Sequence, residues 1–481
     1  MRTAGGFRSR SLAKSLDWWL VGCWIVLVLI GWANIYASIH STEPASIFGW
    51  GCRSGKQFVW IMTSVGIALF ILFAVPPRIY EGLSVPIYLF VLALLVAVIF
   101  LGIEVKGSRS WFEFGPVRFQ PAEISKISTS LLLATVMSQL GYRIGRLKDF
   151  LITVLIIILP MGIIVLQSET GSALVYVGFI FMLYREGLTG WLIFIAGMAI
   201  LLFILTISVS PFVAVLTLIG VASLCICLYS GRFKWWVFLC IPLIVLAAFI
   251  PKILALIPAM AGVDPIWVLI GCSLLAVPFV AFQAFRERNT FTHLALISTI
   301  AGLVLVFSAD FLFNKVLQDH QRKRIEVLLG MKEDPAGVGY NVLQSKIAIG
   351  SGGFFGKGYL NGTQTTYGFV PEQSTDFIFC TVGEEWGCFG CSIVILLYVF
   401  LMWRIIYDAE RSREAFTRIY GYCVACCIFM HLFINIGMTI GLMPVIGIPL
   451  PFVSYGGSSM WGFTAMLFIF IALNRNERKY F

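Results

Sequence analysis

The chain has 481 residues, 59% of them hydrophobic and only 12% charged. Soluble globular chains carry about 25% charged residues, and half that number cannot solvate the surface of a chain this long. A soluble protein is therefore excluded, and a polytopic membrane protein is expected. The net charge of +10 does not imply nucleic acid as a partner, because Lys and Arg fall in short clusters between apolar runs, the pattern of the positive-inside rule.

In chain order, a basic tail (1–17) precedes the first apolar run, and no clear small-residue cleavage site follows it. It reads as a cytoplasmic tail before a retained span. About fourteen spans long enough for transmembrane helices are expected. They fall at 18–37, 57–75, 86–103, 122–140, 150–166, 171–184, 191–208, 211–229, 235–256, 265–284, 293–313, 376–403, 416–441 and 455–474. Charge supports the count. With the N-terminus inside, every cytoplasmic segment carries at least one basic residue, among them Arg78, Arg143, Arg185, Arg232, Arg286, Arg404 and Arg475. The opposite loops at 168–172, 208–211 and 262–265 carry none, whereas 104–118 departs from the rule with Lys106, Arg109 and Arg118. Both termini are then cytoplasmic, a short tail following at 475–481. The long segment 314–375 faces outward, and its apolar stretches IAIG, FFGKGYL and YGFVP predict a folded re-entrant loop. Loops of that length in compact proteins are functional or disordered.

The twelve cysteines lie mostly within apolar runs, as Cys23, Cys225, Cys227, Cys240, Cys426 and Cys427 do, where they act as small hydrophobes. No disulfide framework and no protein-built metal site is expected.

Five polar constellations stand out. Asp376 opens a span, with Glu372 before it and Glu384 and Glu385 about two turns deeper. A carboxylate at membrane depth is usually functional or paired, although Asp376 could simply complement a helix N-terminus. Ser374 and Thr375 suit the cap of that helix. The glycine run Gly350, Gly352, Gly353, Gly356, Gly358 and Gly362, with Lys346 and Lys357, could bring backbone amides onto an anion or serve only tight turns. Glu123 and Lys126 share a helix face at i, i+3, either as a structural ion pair or as the wall of a polar cavity. Arg109, Arg118 and the DHQRKR run (319–324) place arginines where they could bind phosphate or anchor at the interface. Finally, prolines and glycines in GLMPVIGIPLPFVSYGGSS (441–459) break a helix, as is tolerated where backbone lines a cavity or is buried in protein.

The blocks GSRSW, RFQPAEISKI, QRKRI, DPAGVGYNVLQSKIAIGSGG, GKGYLNGTQ, FVPEQSTDFIF, EEWG, NIGM and GIPLPFVSYGGSS resemble, in order, the signatures of the SEDS family (shape, elongation, division and sporulation). NGTQT and the VPEQSTDFIF spacing resemble its elongation branch more than its division branch. The resemblance implies a glycosyltransferase that polymerises lipid II on the outer face of the bacterial cytoplasmic membrane. It implies membrane lipids as surroundings and a class B penicillin-binding protein, the transpeptidase, as partner. It places the family's loop aspartate on Asp376 and its intramembrane glutamate and lysine on Glu123 and Lys126. Arg109, Lys346, Lys357, Gln364 and Glu372 are further substrate-binding candidates, and a divalent cation (Mg or Mn) is a possible aid.

The expected fold is an all-α polytopic membrane protein. A ten-span core (18–190 and 293–474, with the catalytic loop at 314–375) is augmented by about four inserted spans at 191–292. QSETGS (167–172) stands where the family often has QPDxGT, leaving Glu169 as the acidic residue. A lipid II flippase and a non-catalytic scaffold for the transpeptidase are the competing readings.

Overall fold

The structure, a computed structural model, describes residues 16–40, 46–49, 51–105, 107–115, 117–229, 247, 249–250, 265–271, 290–311, 313, 315, 322–323, 325–326, 329, 331 and 338–479. Two compact units emerge, one of Met1–Leu188 with Asp334–Phe481, the other of Thr189–Glu333.

The first unit opens with α1 (Trp18–Ile39), α2 (Arg53–Phe73), a short α3 (Arg78–Gly82) and α4 (Ser84–Leu101). Asp17 caps α1, its carboxylate accepting from the amides of Trp19 (3.0 Å) and Leu20 (3.3 Å), which satisfies donors that a helix start leaves open. A three-stranded antiparallel meander follows: β1 (Ile103–Val105), β2 (Ser108–Phe114) and β3 (Val117–Phe119). Val105 pairs with Ser108 and Phe114 with Val117. Gly107 (φ +83°) and Gly115 (φ +61°) make the turns. The all-α expectation is corrected here. Tight turns at left-handed glycines flank a run with three aromatic residues, Trp111, Phe112 and Phe114, which favours strands.

Next come α5 (Pro121–Met137), with Pro121 at its first turn as helix starts favour, α6 (Leu147–Leu166), α7 (Thr170–Val175) and α8 (Phe179–Arg185). The expected span 171–184 is interrupted by a 3-10 turn at Tyr176–Gly178. Gly178 lies so close to Met430 that an added Cβ would meet its Cγ at 2.3 Å. In the second unit, α9 (Gly190–Ser208), α10 (Pro211–Tyr229) and α11 (Thr290–Phe311) pack around Leu202, Val215, Leu218 and Val306. An apolar cavity of about 160 Å³ lies among them and includes none of the site candidates. The expected span 235–256, apart from three residues, and the part of 265–284 beyond 271 lie outside the described residues, as do Lys106 and most of the N-terminal tail.

The first unit resumes with α12 (Val338–Ser351), a one-turn α13 (Thr363–Thr366), α14 (Ile378–Glu410), α15 (Ala415–Thr439) and α16 (Gly457–Lys479). Eight helices among the described residues are long and apolar enough to cross a membrane. Helix α5 is not one of them, because serines, threonines, Glu123 and Lys126 interrupt it. It lies almost wholly buried, with α15 and α16 also largely buried around it.

The two ends of this unit differ. One holds two ion pairs and a buried hydrogen bond: Arg404 Nε donates to Asp17 (3.0 Å), Arg418 Nε to Glu186 (3.0 Å) and Asn474 Nδ2 to the buried Asp408 (2.8 Å). The other holds the meander, α12, α13, the loop 441–456 and Asp376.

Candidate active site

Asp376 does not begin α14. It lies, half-buried, in consecutive turns just before it. These turns are held from outside. Arg53 Nη1 donates to Ser374 Oγ (2.8 Å) and Gln373 Nε2 to the Ser38 carbonyl. The Tyr455 amide donates to the Ser374 carbonyl (2.9 Å) and Ser454 Oγ to the Thr375 carbonyl (2.6 Å). Ser374 and Thr375 thus serve these contacts and cap no helix. Glu372 has a left-handed φ of +52°, and its carboxylate accepts from Thr375 Oγ1 (3.0 Å). Such strain persists where surroundings over-determine it, as at functional sites.

The loop 441–456 faces this turn. Gly447 (φ +78°) comes so close that a Cβ there would stand 3.3 Å from Asp376 Oδ2. Asn435, on α15, joins the two segments, its Nδ2 donating to the carbonyls of Asp376 (2.9 Å) and Ile448 (2.7 Å). One turn earlier on the same face, His431 meets the Pro449 carbonyl through Nδ1 (2.9 Å) and Lys126 Nζ through Nε2 (2.9 Å). Lys126 also donates to Glu123 (2.8 Å) and lies 4.8 Å from the Phe463 ring centre. Glu123, Lys126 and His431 are 3%, 1% and 1% exposed. The structure therefore unites the two expected charges but seats them in the core, with no open face toward a substrate.

The glycine run has a use other than the expected anion cradle. Helix α14 breaks at Gly387 (φ +67°), and residues 352–358 fill the break. The amides of Lys357 and Gly358 donate to the carbonyls of Glu384 and Glu385 (both 3.0 Å). The amides of Cys388 and Phe389 donate to the carbonyls of Gly353 (2.9 Å) and Phe354 (3.0 Å). A Cβ on Gly352 or Gly356 would lie 2.0 or 2.1 Å from an α14 carbonyl oxygen. The glycines serve this close approach, and the amides of 356–358 are already occupied.

Glu384, fully buried, holds the next segment. It accepts from Lys357 Nζ (2.7 Å) and from the amides of Thr363 (2.7 Å), Gln364 (2.8 Å) and Thr365 (2.9 Å). This fixes the backbone of Gln364 and commits Lys357 to an ion pair. Partial burial raises the Tyr359 hydroxyl above its ordinary value, and it donates to the Ala33 carbonyl (3.0 Å).

Of the other basic candidates, Arg109 is exposed and 3.5 Å from Glu104, on the meander. Lys346 is exposed on α12, where its Nζ would touch a Cβ on Gly441 at 2.5 Å. It makes no ion pair among the described residues. Glu169 ties the meander to α5, accepting from Ser110 Oγ (3.0 Å) and Gln120 Nε2 (3.2 Å). Cys388 and Cys391, and Cys423 and Cys426, stand at CxxC spacing within helices, and all four are free thiols. Among the described residues no group of three metal-ligating side chains forms. The donors among the described residues do not fit a protein-built divalent site.

Asn435, His431, Arg53 and Gly447 are the residues that sequence reasoning missed. The available signal was a pair of polar residues at i, i+4 on an otherwise apolar helix, entering a proline–glycine loop.

Bundle and site together define a polytopic membrane protein with a carboxylate centre at one end. The chain belongs to the cell cycle protein family of FtsW, RodA and SpoVE, whose sequence model matches residues 17–218 and 266–479. It is 31% identical over 399 residues to the peptidoglycan glycosyltransferase MrdB of Escherichia coli K12, covering 82% of this chain and 79% of that protein. It is 30% identical over 468 residues to the peptidoglycan glycosyltransferase RodA of Treponema pallidum, covering 97% and 98%. In fold it is similar to the rod shape determining protein RodA of Thermus thermophilus (TM-score 0.52, 22% identity, 97% and 98% covered). It is also similar to a chain from a structure of a peptidoglycan synthase complex that coordinates polymerisation and crosslinking (TM-score 0.59, 24% identity, 96% and 98% covered).

Proposed function

We propose that this chain is a peptidoglycan glycosyltransferase of the RodA type, which polymerises lipid II into glycan strands during elongation of the cell. The observation that carries the reading is Asp376. It is the half-buried carboxylate held against Gly447 in a turn secured from α1, α2, α15 and the loop 441–456, in a chain whose relatives bear that activity in their names. Asp376 is the general base. It accepts the proton of the acceptor sugar hydroxyl as that oxygen attacks the donor's anomeric carbon, and undecaprenyl pyrophosphate leaves with its bonding electrons. One displacement inverts the anomeric centre, and a single base without a nucleophile suffices. Lys346, exposed near the same loop, is placed to offset the leaving group's charge. Lys357 and Arg109 are paired with carboxylates and contribute to that field more weakly.

The finer topology belongs to the same proposal. It has fourteen spans, cytoplasmic termini, the site on the outer face, a ten-span core and an insertion after α8. A class B penicillin-binding protein is the proposed partner. Transport of lipid II is disfavoured, because a carrier needs a midplane site open alternately to both sides, whereas these polar groups gather at one end.

The test is polymer formation from lipid II by the purified protein in detergent, with and without the transpeptidase. Detergent has no second compartment, so polymer cannot be a by-product of transport. Asp376→Asn should elute and melt like the parent and lose about 100-fold or more of the rate, the contribution of a positioned base. Polymerisation at the parental rate would remove Asp376 from the mechanism.

A further inference from the structure

The deepest polar cluster of the first unit is not accessible to a substrate, yet it is connected to the site. We propose that His431 is a positioning residue: with Asn435 it fixes the backbone carbonyls of Ile448 and Pro449, and so the approach of Gly447 to Asp376, and it anchors that backbone to the buried Glu123–Lys126 pair. The inference rests on the reading of Asp376 as the base.

Hydrogen-bond chemistry assigns the imidazole's state. A carbonyl can only accept, so His431 Nδ1 donates to Pro449 O (2.9 Å). With that nitrogen protonated, a neutral ring offers Nε2 as an acceptor to the Lys126 ammonium (2.9 Å). Lys126 is fixed in turn by Glu123 (2.8 Å). The Phe463 and His431 rings pack edge to face with centres 4.7 Å apart. Neither the Pro449 carbonyl nor the ammonium can take up a proton. The chain of contacts therefore holds position and does not relay protons.

The arrangement suits a segment that cannot hold itself. Residues 444, 449 and 451 are prolines, without amide donors, and three of the loop's carbonyls take their donors from side chains. Asn435 takes that of Ile448 and His431 that of Pro449, from consecutive turns of one helix. Tyr398 takes that of Pro451. Gly447, next to Ile448, has its Cβ position 3.3 Å from Asp376 Oδ2. Loosening Pro449 therefore moves the wall against which the base is set. A displacement of about 1 Å far from the chemistry can cost about 100-fold in rate.

Turnover and KM for lipid II are to be measured per folded protein, normalised by size exclusion and a melting curve, for His431→Leu, His431→Gln and Asp376→Asn. Leucine keeps the bulk and removes both bonds. Glutamine keeps one donor and one acceptor. We expect His431→Leu to lower kcat about 10- to 100-fold with KM within about threefold, and His431→Gln to recover most of the loss. The inference is overturned if His431→Leu turns over at the parental rate while Asp376→Asn is dead. It is also overturned if leucine and glutamine lose activity equally, in proportion to lost folded protein, since His431 would then be ordinary core. An active Asp376→Asn would instead overturn the base assignment, and the inference with it.

Discussion

At Asp376 the geometry is set by a residue with no side chain. Gly447 is left-handed, and any Cβ there would press on Asp376 Oδ2 from 3.3 Å. Gly141 is also left-handed (φ +88°), but nothing lies within 4 Å of its Cβ position. Both alanine variants should lose about 1–2 kcal/mol of stability, the cost of a left-handed L-residue. Only Gly447→Ala should also lose turnover, about tenfold or more, because only there is the carboxylate displaced. Melting curves alongside polymerisation rates check this, and equal rates for the two variants would detach Gly447 from the site. Asp376, Glu123 and Lys126 were legible from sequence because a charge among apolar residues is its own signal. Asn435 and His431 were not. Their i, i+4 spacing was visible, but their partners are carbonyls 13 and 18 residues away, set by a path no local pattern encodes.

At the scale of elements, one helix explains the glycines. Helix α14 has 33 residues, roughly 50 Å at helical rise, well beyond the roughly 30 Å hydrocarbon layer. The break at Gly387 separates a long apolar part from a short one that belongs to the site. The composition of the glycine run suggested backbone amides on an anion, or tight turns. It did not indicate an approach to the chain itself, because the group approached, the break at Gly387, lies about thirty residues further on and looks like ordinary helix. The meander was missed for the opposite reason: its turn glycines were visible, but the expectation of a membrane helix bundle overrode them. Glu384 carries the testable consequence. Removing one partner of a buried, bonded ion pair costs about 3–5 kcal/mol, so Glu384→Ala should lower the melting temperature and speed amide exchange across 357–368. Glutamine should be intermediate, since its amide oxygen can still accept but no longer balances Lys357. If exchange in that stretch is unaltered while exchange elsewhere rises, Glu384 does not hold the loop.

Over the whole molecule, hydropathy revealed the spans well but not their depth. Most expected spans lie within about five residues of an observed helix, but α14 runs on to Glu410 where an end at 403 was expected, and α12 falls within the expected loop. Yet α5, marked as a poor span by its polar residues, is almost wholly buried, whereas the strongly apolar α4 and α6 keep much of their surface exposed. A helix surrounded by protein can carry serines, threonines and an ion pair that lipid would penalise, so low hydropathy in such a protein can mean a central position. The ion-paired end includes the α5–α6 loop, with Arg143, Arg146 and Lys148. The site end includes the loop of Tyr367, which is 73% exposed. The proposed topology puts the first end at the cytoplasm, in keeping with the positive-inside rule. In a cysteine-free background, a membrane-impermeant maleimide applied to spheroplasts should label Tyr367→Cys. It should reach Gly145→Cys, where nothing lies within 4 Å of the Cβ position, only after permeabilisation. The reverse pattern would place Asp376 at the cytoplasmic face, where assembled strands could not reach the wall without a second export step.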